Sequence, residues 1–245
     1  MRSAADGAPS FVYLPALASE PDEVTIGGDE AHYLRRVVRI RPGETVTASD
    51  GAGTLAELVV LDAGAGIRAE VRSRRAVARA TALEVWCGAP EGDRADWLVE
   101  KLAELGAATL RFVDTERGRW ERAEQRAARW DRLTVAALRQ SRSAHRLAIL
   151  PPAPLAEALA GAWPVGPSLV ADAAGGPYPP GAAGEMKAVR IAIGPSGGFS
   201  DGERKLLVSK GFIATRLSSS RLRTETAAIV LAALVLALPG TPRPA

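Results

Sequence analysis

The stretch that decides the fold is VRIAIGPSGGFSDGERKLLVSKGF, residues 189–212. It opens with an apolar run that predicts a buried strand, and a loop with three glycines, GPSGGFS (194–200), follows directly. The loop runs into Ser-Asp-Gly-Glu at 200–203, the spacing of a capping box that begins a helix. A strand, a glycine-rich loop and a helix in this order are typical of the edge of a parallel sheet where a ligand binds.

The glycine spacing of this loop excludes two common nucleotide sites. It matches neither the G-x-G-x-x-G of dinucleotide-binding folds nor the G-x-x-x-x-G-K-[ST] of P-loops. Glycine permits positive φ and removes the side chains that keep a ligand away from backbone N–H groups. We therefore expect a nucleotide-like ligand here, although a tight turn that binds nothing explains the same glycines.

A second informative stretch is LSSSRLRTETAAIVLAALVLAL, residues 217–238. Thr224 is predicted to cap the final helix, and Glu225 falls at the positive end of the helix dipole. Capping alone does not explain why Arg221 and Arg223 stand directly before an apolar helix. The helix is apolar on nearly every face, which predicts burial in a core and against a second copy of the chain.

The rest of the chain divides into two patterns. Up to about residue 78, short alternating strands with an Asp50-Gly51 hairpin turn predict a small β-barrel, interrupted by one helix from Gly28 to Val38. Beyond it, strands alternate with helices, which predicts an α/β domain with a mostly parallel sheet. We place the domains at 1–78 and 79–245.

Composition excludes several classes of protein. The chain has 245 residues, one cysteine and two histidines, so it forms no internal disulfide and no four-ligand zinc site, and we expect no metal. Residues 1–10 contain no apolar signal segment, and the longest apolar run, 226–238, is shorter than the roughly 20 residues that cross a bilayer. A cytoplasmic location without a membrane partner is expected.

Positive charge is concentrated in two segments. Residues 117–146 contain nine arginines and three acidic residues, and residues 204–223 contain six basic residues and no acidic one. Such clusters indicate a phosphate-rich partner, although a solvated helix face has the same composition.

Together these motifs resemble a known family. GPSGGFS (194–200), LRTETAA (222–228), DWLVEKLAELGA (96–107) and RQSRSAHR (139–146) resemble the RsmE family of 16S rRNA (uracil-N3)-methyltransferases in the SPOUT superfamily. HYLRRVVR (32–39) resembles part of that family's PUA-like RNA-binding domain. The resemblance spans nearly the whole chain. It implies a trefoil-knotted, SPOUT-type α/β domain after the barrel, S-adenosyl-L-methionine bound at the knot loops, a homodimer, and 16S ribosomal RNA as substrate.

The resemblance also implies roles for individual residues. Arg223 and Glu225 are candidate catalytic groups, because methylation of uracil N3 needs a base or a charge stabiliser for the N3 proton. The expected cofactor-binding residues are Ile193, Gly194, Pro195, Gly197, Gly198, Leu217, Ser218, Leu222, Arg223 and Thr224. The expected RNA-binding residues are His32, Arg35, Arg36, Arg39, Lys101, Gln140 and Arg142.

This sequence departs from the family pattern at several positions. Ser196 replaces the usual Glu of the glycine loop, and Ser218 replaces a Gly. Ser220 and Arg221 stand where the family usually has Arg and Ile. Two alternatives therefore stay open: a non-catalytic RNA-binding or ribosome-assembly factor of the same fold, and a SPOUT methyltransferase that acts on another RNA.

Overall fold

A computed structural model of the chain describes residues 9–19, 21–64, 66–120, 123–161, 166–178 and 186–236. The chain forms two compact units. The first comprises the described residues up to Ala78 together with Leu138–Arg146, and the second comprises Arg79–Ala137 and the described residues from Leu147 onward. No helix among the described residues is long and apolar enough to span a membrane.

The first unit is built on a five-stranded sheet. Its strands are β1 (Ser10–Tyr13), β2 (Glu23–Ile26), β3 (Thr45–Ser49), β4 (Thr54–Ala63) and β5 (Ile67–Ala76). They lie in the order β1-β3-β4-β5-β2, with β1 parallel to β3 and the other neighbours antiparallel. Helix α1 (Gly28–Tyr33) continues into a π-helical turn, Leu34–Val38, so the predicted helix is present with a change of winding. Alternate strand residues such as Val46 and Leu58 are fully buried and form the core of the unit.

The hairpin turn between β3 and β4 explains why Leu138–Arg146 belongs to the first unit. Asp50 Oδ1 accepts hydrogen bonds from the N–H groups of Ala52 (2.7 Å) and Thr54 (2.8 Å) and fixes the turn. Gly53 donates its N–H to Ala144 O (2.9 Å), and Gly51 O accepts from the N–H of Arg146 (2.8 Å). These backbone bonds add the segment to the small unit, whereas our predicted boundary placed it in the second domain. Because the hairpin and residues 138–146 are far apart in sequence, no local sequence pattern predicts these contacts.

The second unit is an α/β fold with a six-stranded parallel sheet, as predicted. Its strands are β6 (Ala82–Cys87), β7 (Thr109–Asp114), β8 (Ala148–Pro154), β9 (Ser168–Pro177), β10 (Ala188–Ile193) and β11 (Phe212–Arg216). They lie in the order β11-β9-β10-β6-β7-β8, and every neighbouring pair is parallel. The helices are α2 (Arg94–Leu105), α3 (Ala123–Ser141), α4 (Leu155–Ala160), α5 (Asp201–Ser209) and α6 (Thr224–Leu236). Helices α2 and α6 pack together, and α6 also contacts β6 and β10.

Local sequence features set the helix ends in this unit. The predicted capping box is formed: Ser200 accepts the N–H of Glu203, and the Glu203 carboxylate accepts the N–H of Ser200. Gly106 ends α2 in a left-handed conformation, with φ of 85°. Thr224 was expected to cap α6 but is the helix's first residue, and its hydroxyl donates to Gly194 O (3.1 Å) instead. The side chain therefore connects the helix to the glycine loop.

Candidate active site and RNA surface

The glycine loop follows β10 at the carboxyl edge of the sheet. All six residues of β10 are buried, and Ile193 O accepts the N–H of Gly88, which follows the neighbouring β6 (2.8 Å). A Cβ on Gly88 would lie 2.4 Å from Pro195 N, and one on Gly194 would lie 2.8 Å from Phe199 N. Both positions require glycine because backbone packs directly against backbone there.

Three side chains hold the carbonyl groups of the loop. Thr224 Oγ1 donates to Gly194 O, Arg221 Nη2 donates to Ser196 O (2.9 Å), and Arg117 Nη1 donates to Gly197 O (2.9 Å). The two stretches singled out in the sequence therefore meet. Since the carbonyl groups are satisfied inside the protein, the loop is held in place by contacts distant in sequence.

Beside the loop lies a cleft of about 620 Å³. The two stretches form most of its wall, and Glu91, Arg94 and Ala171 complete it. Of the expected cofactor-binding residues, the cleft is lined by Ile193, Gly194, Pro195, Gly197, Gly198, Leu222, Arg223 and Thr224. The structure places Leu217 and Ser218 elsewhere: Leu217 packs against the hydrophobic core, and Ser218 Oγ accepts the N–H of Ser220 (3.1 Å).

Gly198 differs from our expectation in its physical role. We expected its backbone N–H to face a ligand, but that group donates to Pro195 O (2.8 Å) and closes a turn. Its φ of +70° is in the left-handed region, and an added Cβ would meet no atom of the described chain within 4 Å. Backbone conformation, and not close packing, accounts for glycine at this position.

The charged side chains in the cleft differ sharply in their pairing. Glu225 is only 3% exposed and is bound through Oε1 to Arg94 Nη1 at 2.6 Å. Arg221 is tied to the loop, whereas Arg223 is exposed and forms no ion pair within the part of the chain that the structure describes. Arg223 is therefore available to a ligand, and the geometry argues against Glu225 as a proton acceptor.

Cys87 lies at the end of β6, beneath this pair. Burial, reinforced by the negative charge of Glu225, raises the pKa of its thiol above the ordinary value. The thiol is completely buried and neutral, so the lone cysteine is a packing residue and not a nucleophile.

Four of the expected RNA-binding residues lie together in the first unit. His32, Arg35, Arg36 and Arg39 line a cleft of about 440 Å³ together with Ile40 and Ala63. Arg35 is anchored by Ala31 O (3.3 Å) and Gly64 O (3.2 Å), while His32, Arg36 and Arg39 are exposed. The four residues are spaced as positions i, i+3, i+4 and i+7, which lie on one helix face, and residues 34–38 within this segment wind as a π-helix.

The other expected RNA-binding residues are not among those that line this cleft. Gln140 and Arg142 belong to the first unit, where Gln140 is exposed and Arg142 donates to Pro9 O (2.7 Å). Lys101 belongs to the second unit and bonds to Glu100 (2.7 Å) and Glu104 (2.8 Å), which raise the pKa of its ammonium group. Two adjacent carboxylates offset its charge.

Part of the positive charge in residues 117–146 is paired within the protein. Arg126 binds Asp93 (2.8 Å) and Asp96 (3.3 Å), and Arg129 also binds Asp96 (2.5 Å). Arg139 binds Glu30 at 3.2 Å. Arg122, which belongs to the same cluster, lies outside the described residues. The count of arginines in the sequence therefore overstates the charge that this segment presents to RNA.

Comparison with known proteins shows which family the chain is similar to. A family model described as an RNA methyltransferase domain matches residues 78–236, and one described as an RNA methyltransferase PUA domain matches residues 26–71. A ribosomal RNA small subunit methyltransferase E from Mycobacterium bovis is 30% identical over 89% of this chain and 87% of its own length. The chain belongs to the ribosomal RNA small subunit methyltransferase E family. A family member from Synechocystis is also 30% identical, over 94% of this chain and 79% of its own.

Solved structures agree with this family. A ribosomal RNA small subunit methyltransferase E from Neisseria gonorrhoeae, bound to S-adenosyl methionine, has a TM-score of 0.80, 27% identity, and coverage of 94% of this chain and 98% of its own. A probable rRNA-methyltransferase from Porphyromonas gingivalis has the same TM-score with 26% identity, covering 93% and 97%. The combination of PUA domain and parallel α/β domain that the motifs implied is thus confirmed.

Two residues of the candidate site were not assigned to it from the sequence. Arg94 is the first residue of α2, and its partner Glu225 is 131 residues away. Arg117 lies in a turn and reaches Gly197 across 80 residues. Only an assembled sheet brings these groups to the loop.

Proposed function

We propose that this chain binds S-adenosyl-L-methionine in the 620 Å³ cleft and methylates N3 of a uridine in 16S ribosomal RNA. The single observation that carries the proposal is the meeting of the glycine loop and the first turn of α6 at one cleft, in a chain of this methyltransferase family.

The cleft fits the cofactor in size and chemistry. Pockets for ligands of this size typically measure about 300–1,000 Å³ and combine apolar walls with a few polar groups. Ile193, Pro195, Leu222 and Ala227 supply apolar walls. Bound S-adenosyl-L-methionine supplies an electrophilic methyl group, so the protein's task is alignment of the acceptor and management of the N3 proton.

Arg223 is the group that we assign to charge stabilisation. Removal of the N3 proton leaves negative charge on the uracil ring, and a cleft guanidinium that forms no ion pair in the described part of the chain lowers the energy of that charge. Glu225 acts indirectly, since its buried carboxylate is already bound to Arg94.

RNA docks, in this proposal, through the cleft formed by His32, Arg35, Arg36 and Arg39, with Gln140 and Arg142 in the same unit as further contacts. Arg36 and Arg39 are exposed, and guanidinium groups suit the phosphate backbone. The N3 atom lies on the Watson–Crick edge, so the target uridine must be unpaired or flipped out.

We further propose that the chain forms a homodimer built partly on α6. We also propose that the domain beginning at residue 79 contains a trefoil knot and that the protein is cytoplasmic. Among the described residues, the packed helices α2 and α6 leave three large apolar side chains exposed: Trp97 at 46%, Leu105 at 36% and Leu234 at 36%. A partner chain would cover them. Ala237 and Leu238, at the end of the apolar run, lie outside the described residues.

Titration calorimetry with S-adenosyl-L-methionine tests the cofactor site. Wild-type protein is expected to bind, and Gly194→Val is expected to lose binding, because a side chain there would push Phe199 and the loop apart. Ser196→Ala is the matched control in the same loop, since Ser196 contributes its carbonyl group and its side chain is exposed. Absence of binding by the wild-type protein would favour the non-catalytic RNA-binding alternative.

A further inference from the structure

We infer that Arg94 is a positioning residue of the methyltransferase site, which acts by holding Glu225 and with it the first turn of α6. The inference rests on the proposed function only for the identity of the cofactor. The contact between the two residues does not depend on that identity. Arg94 is the first residue of α2, Glu225 is the second residue of α6, and Arg94 Nη1 lies 2.6 Å from Glu225 Oε1.

The burial of Glu225 makes the pair necessary. A carboxylate that is 3% exposed is unfavourable unless a cation or hydrogen-bond donors compensate it. Cys87, the neighbouring group under the carboxylate, is neutral and repelled as a thiolate, so it provides no compensation. Among the described residues, Arg94 is the one cation in an ion pair with Glu225.

The position of Arg94 in its own helix supports the same conclusion. A cation in the first turn of a helix is opposed by the helix dipole, so Arg94 is unfavourable there on local grounds. Glu225 stands at the positive end of α6, where an anion is favourable. The arginine is therefore explained by its contact with Glu225 and by its place in the cleft wall, where its side chain is 44% exposed.

Fixing Glu225 fixes the residues before it. Thr224 holds the glycine loop through Gly194 O, and Arg223 lines the cleft without an ion pair to any described residue. A shift of the first turn of α6 would move both groups. Arg94 thereby links α2 to the two features that form the cofactor cleft.

The test measures S-adenosyl-L-methionine affinity of the full chain by calorimetry for Arg94→Gln, Arg94→Lys, Glu225→Gln and the double variant Arg94→Gln/Glu225→Gln. We expect Arg94→Gln to weaken binding at least tenfold at pH 7.5, and Arg94→Lys to recover part of the loss. The double variant should bind better than Arg94→Gln, because it removes the unpaired buried charge. The control is Arg204→Gln, a residue of the same unit that is 45% exposed. It pairs with the exposed Asp201 and, at 4.0 Å, with Asp172, and the substitution should leave the affinity unchanged.

Rescue by the second substitution separates positioning from a general loss of stability. If Arg94→Gln weakens binding by leaving Glu225 unpaired, the double variant regains affinity, whereas two unrelated losses of stability would add. Urea denaturation of the same preparations checks that each variant is folded. Wild-type affinity in folded Arg94→Gln, or equal losses in the single and double variants, would overturn the inference. Absence of binding by the wild-type protein would instead refute the proposed function.

Discussion

Gly88→Ala is the substitution that most sharply probes the packing behind the glycine loop. Its Cβ would lie 2.4 Å from Pro195 N and 2.9 Å from Gly194 C, whereas ordinary contacts begin at 3.4 Å. The obstructing atoms are backbone, so relief requires the loop to move by about 1 Å, and overpacking of this kind costs typically 1–3 kcal/mol. Since the same loop lines the cleft, we expect S-adenosyl-L-methionine affinity to fall at least tenfold.

The assay combines cofactor titration by calorimetry with urea denaturation of the same preparations. Gly176→Ala is the matched control, because its Cβ would meet no atom of the described residues within 4 Å and its φ is not in the left-handed region. That variant should retain cofactor affinity and wild-type stability or slightly more. Gly88→Ala protein that is folded and binds with wild-type affinity would refute the proposed connection between this packing and the cofactor cleft.

Four further outcomes are expected. Arg223→Gln should lower the rate of methyl transfer at least tenfold and change cofactor affinity less than threefold, as measured by single-turnover kinetics and calorimetry. Arg35→Glu/Arg36→Glu should weaken RNA binding and reduce the slope of log K against log salt by roughly 0.7–0.9 for each phosphate that is no longer neutralised, while cofactor binding persists. Partial burial tends to raise the pKa of Asp50, but hydrogen bonds from Thr54 and Ala52 lower it below the ordinary value. The stability that wild type gains over Asp50→Ala should therefore be complete above about pH 4 and disappear as the pH falls through the lowered pKa. Urea denaturation at a series of pH values measures this difference. Light scattering at micromolar concentration should show a dimer, and a monomer would contradict the role proposed for α6.

Local sequence features predicted the elements of the α/β unit well, because their causes are local. The Ser200–Glu203 capping box and the left-handed Gly106 each set a helix end through contacts within a few residues. The parallel order of the sheet followed from alternating strands and helices. None of these features depends on the partners that the chain meets at long range.

The errors share one physical cause, which is contact between segments far apart in sequence. Thr224 looked like a cap, but its hydroxyl is used by Gly194, 30 residues away. No local pattern predicted that Glu225 pairs with Arg94, 131 residues away. The arginines of residues 117–146 looked free because their acidic partners, such as Asp96 and Glu30, lie on other elements.

Methyl transfer to N3 of a uridine in 16S ribosomal RNA is measured most directly by mass spectrometry of nucleosides. The RNA comes from small ribosomal subunits of a strain that lacks this protein, after incubation with purified protein and S-adenosyl-L-methionine. We expect N3-methyluridine to appear with wild-type protein, to be strongly reduced with Arg223→Gln, and to be absent without the cofactor. Subunits that gain no N3-methyluridine from wild-type protein able to bind the cofactor would contradict the proposed reaction.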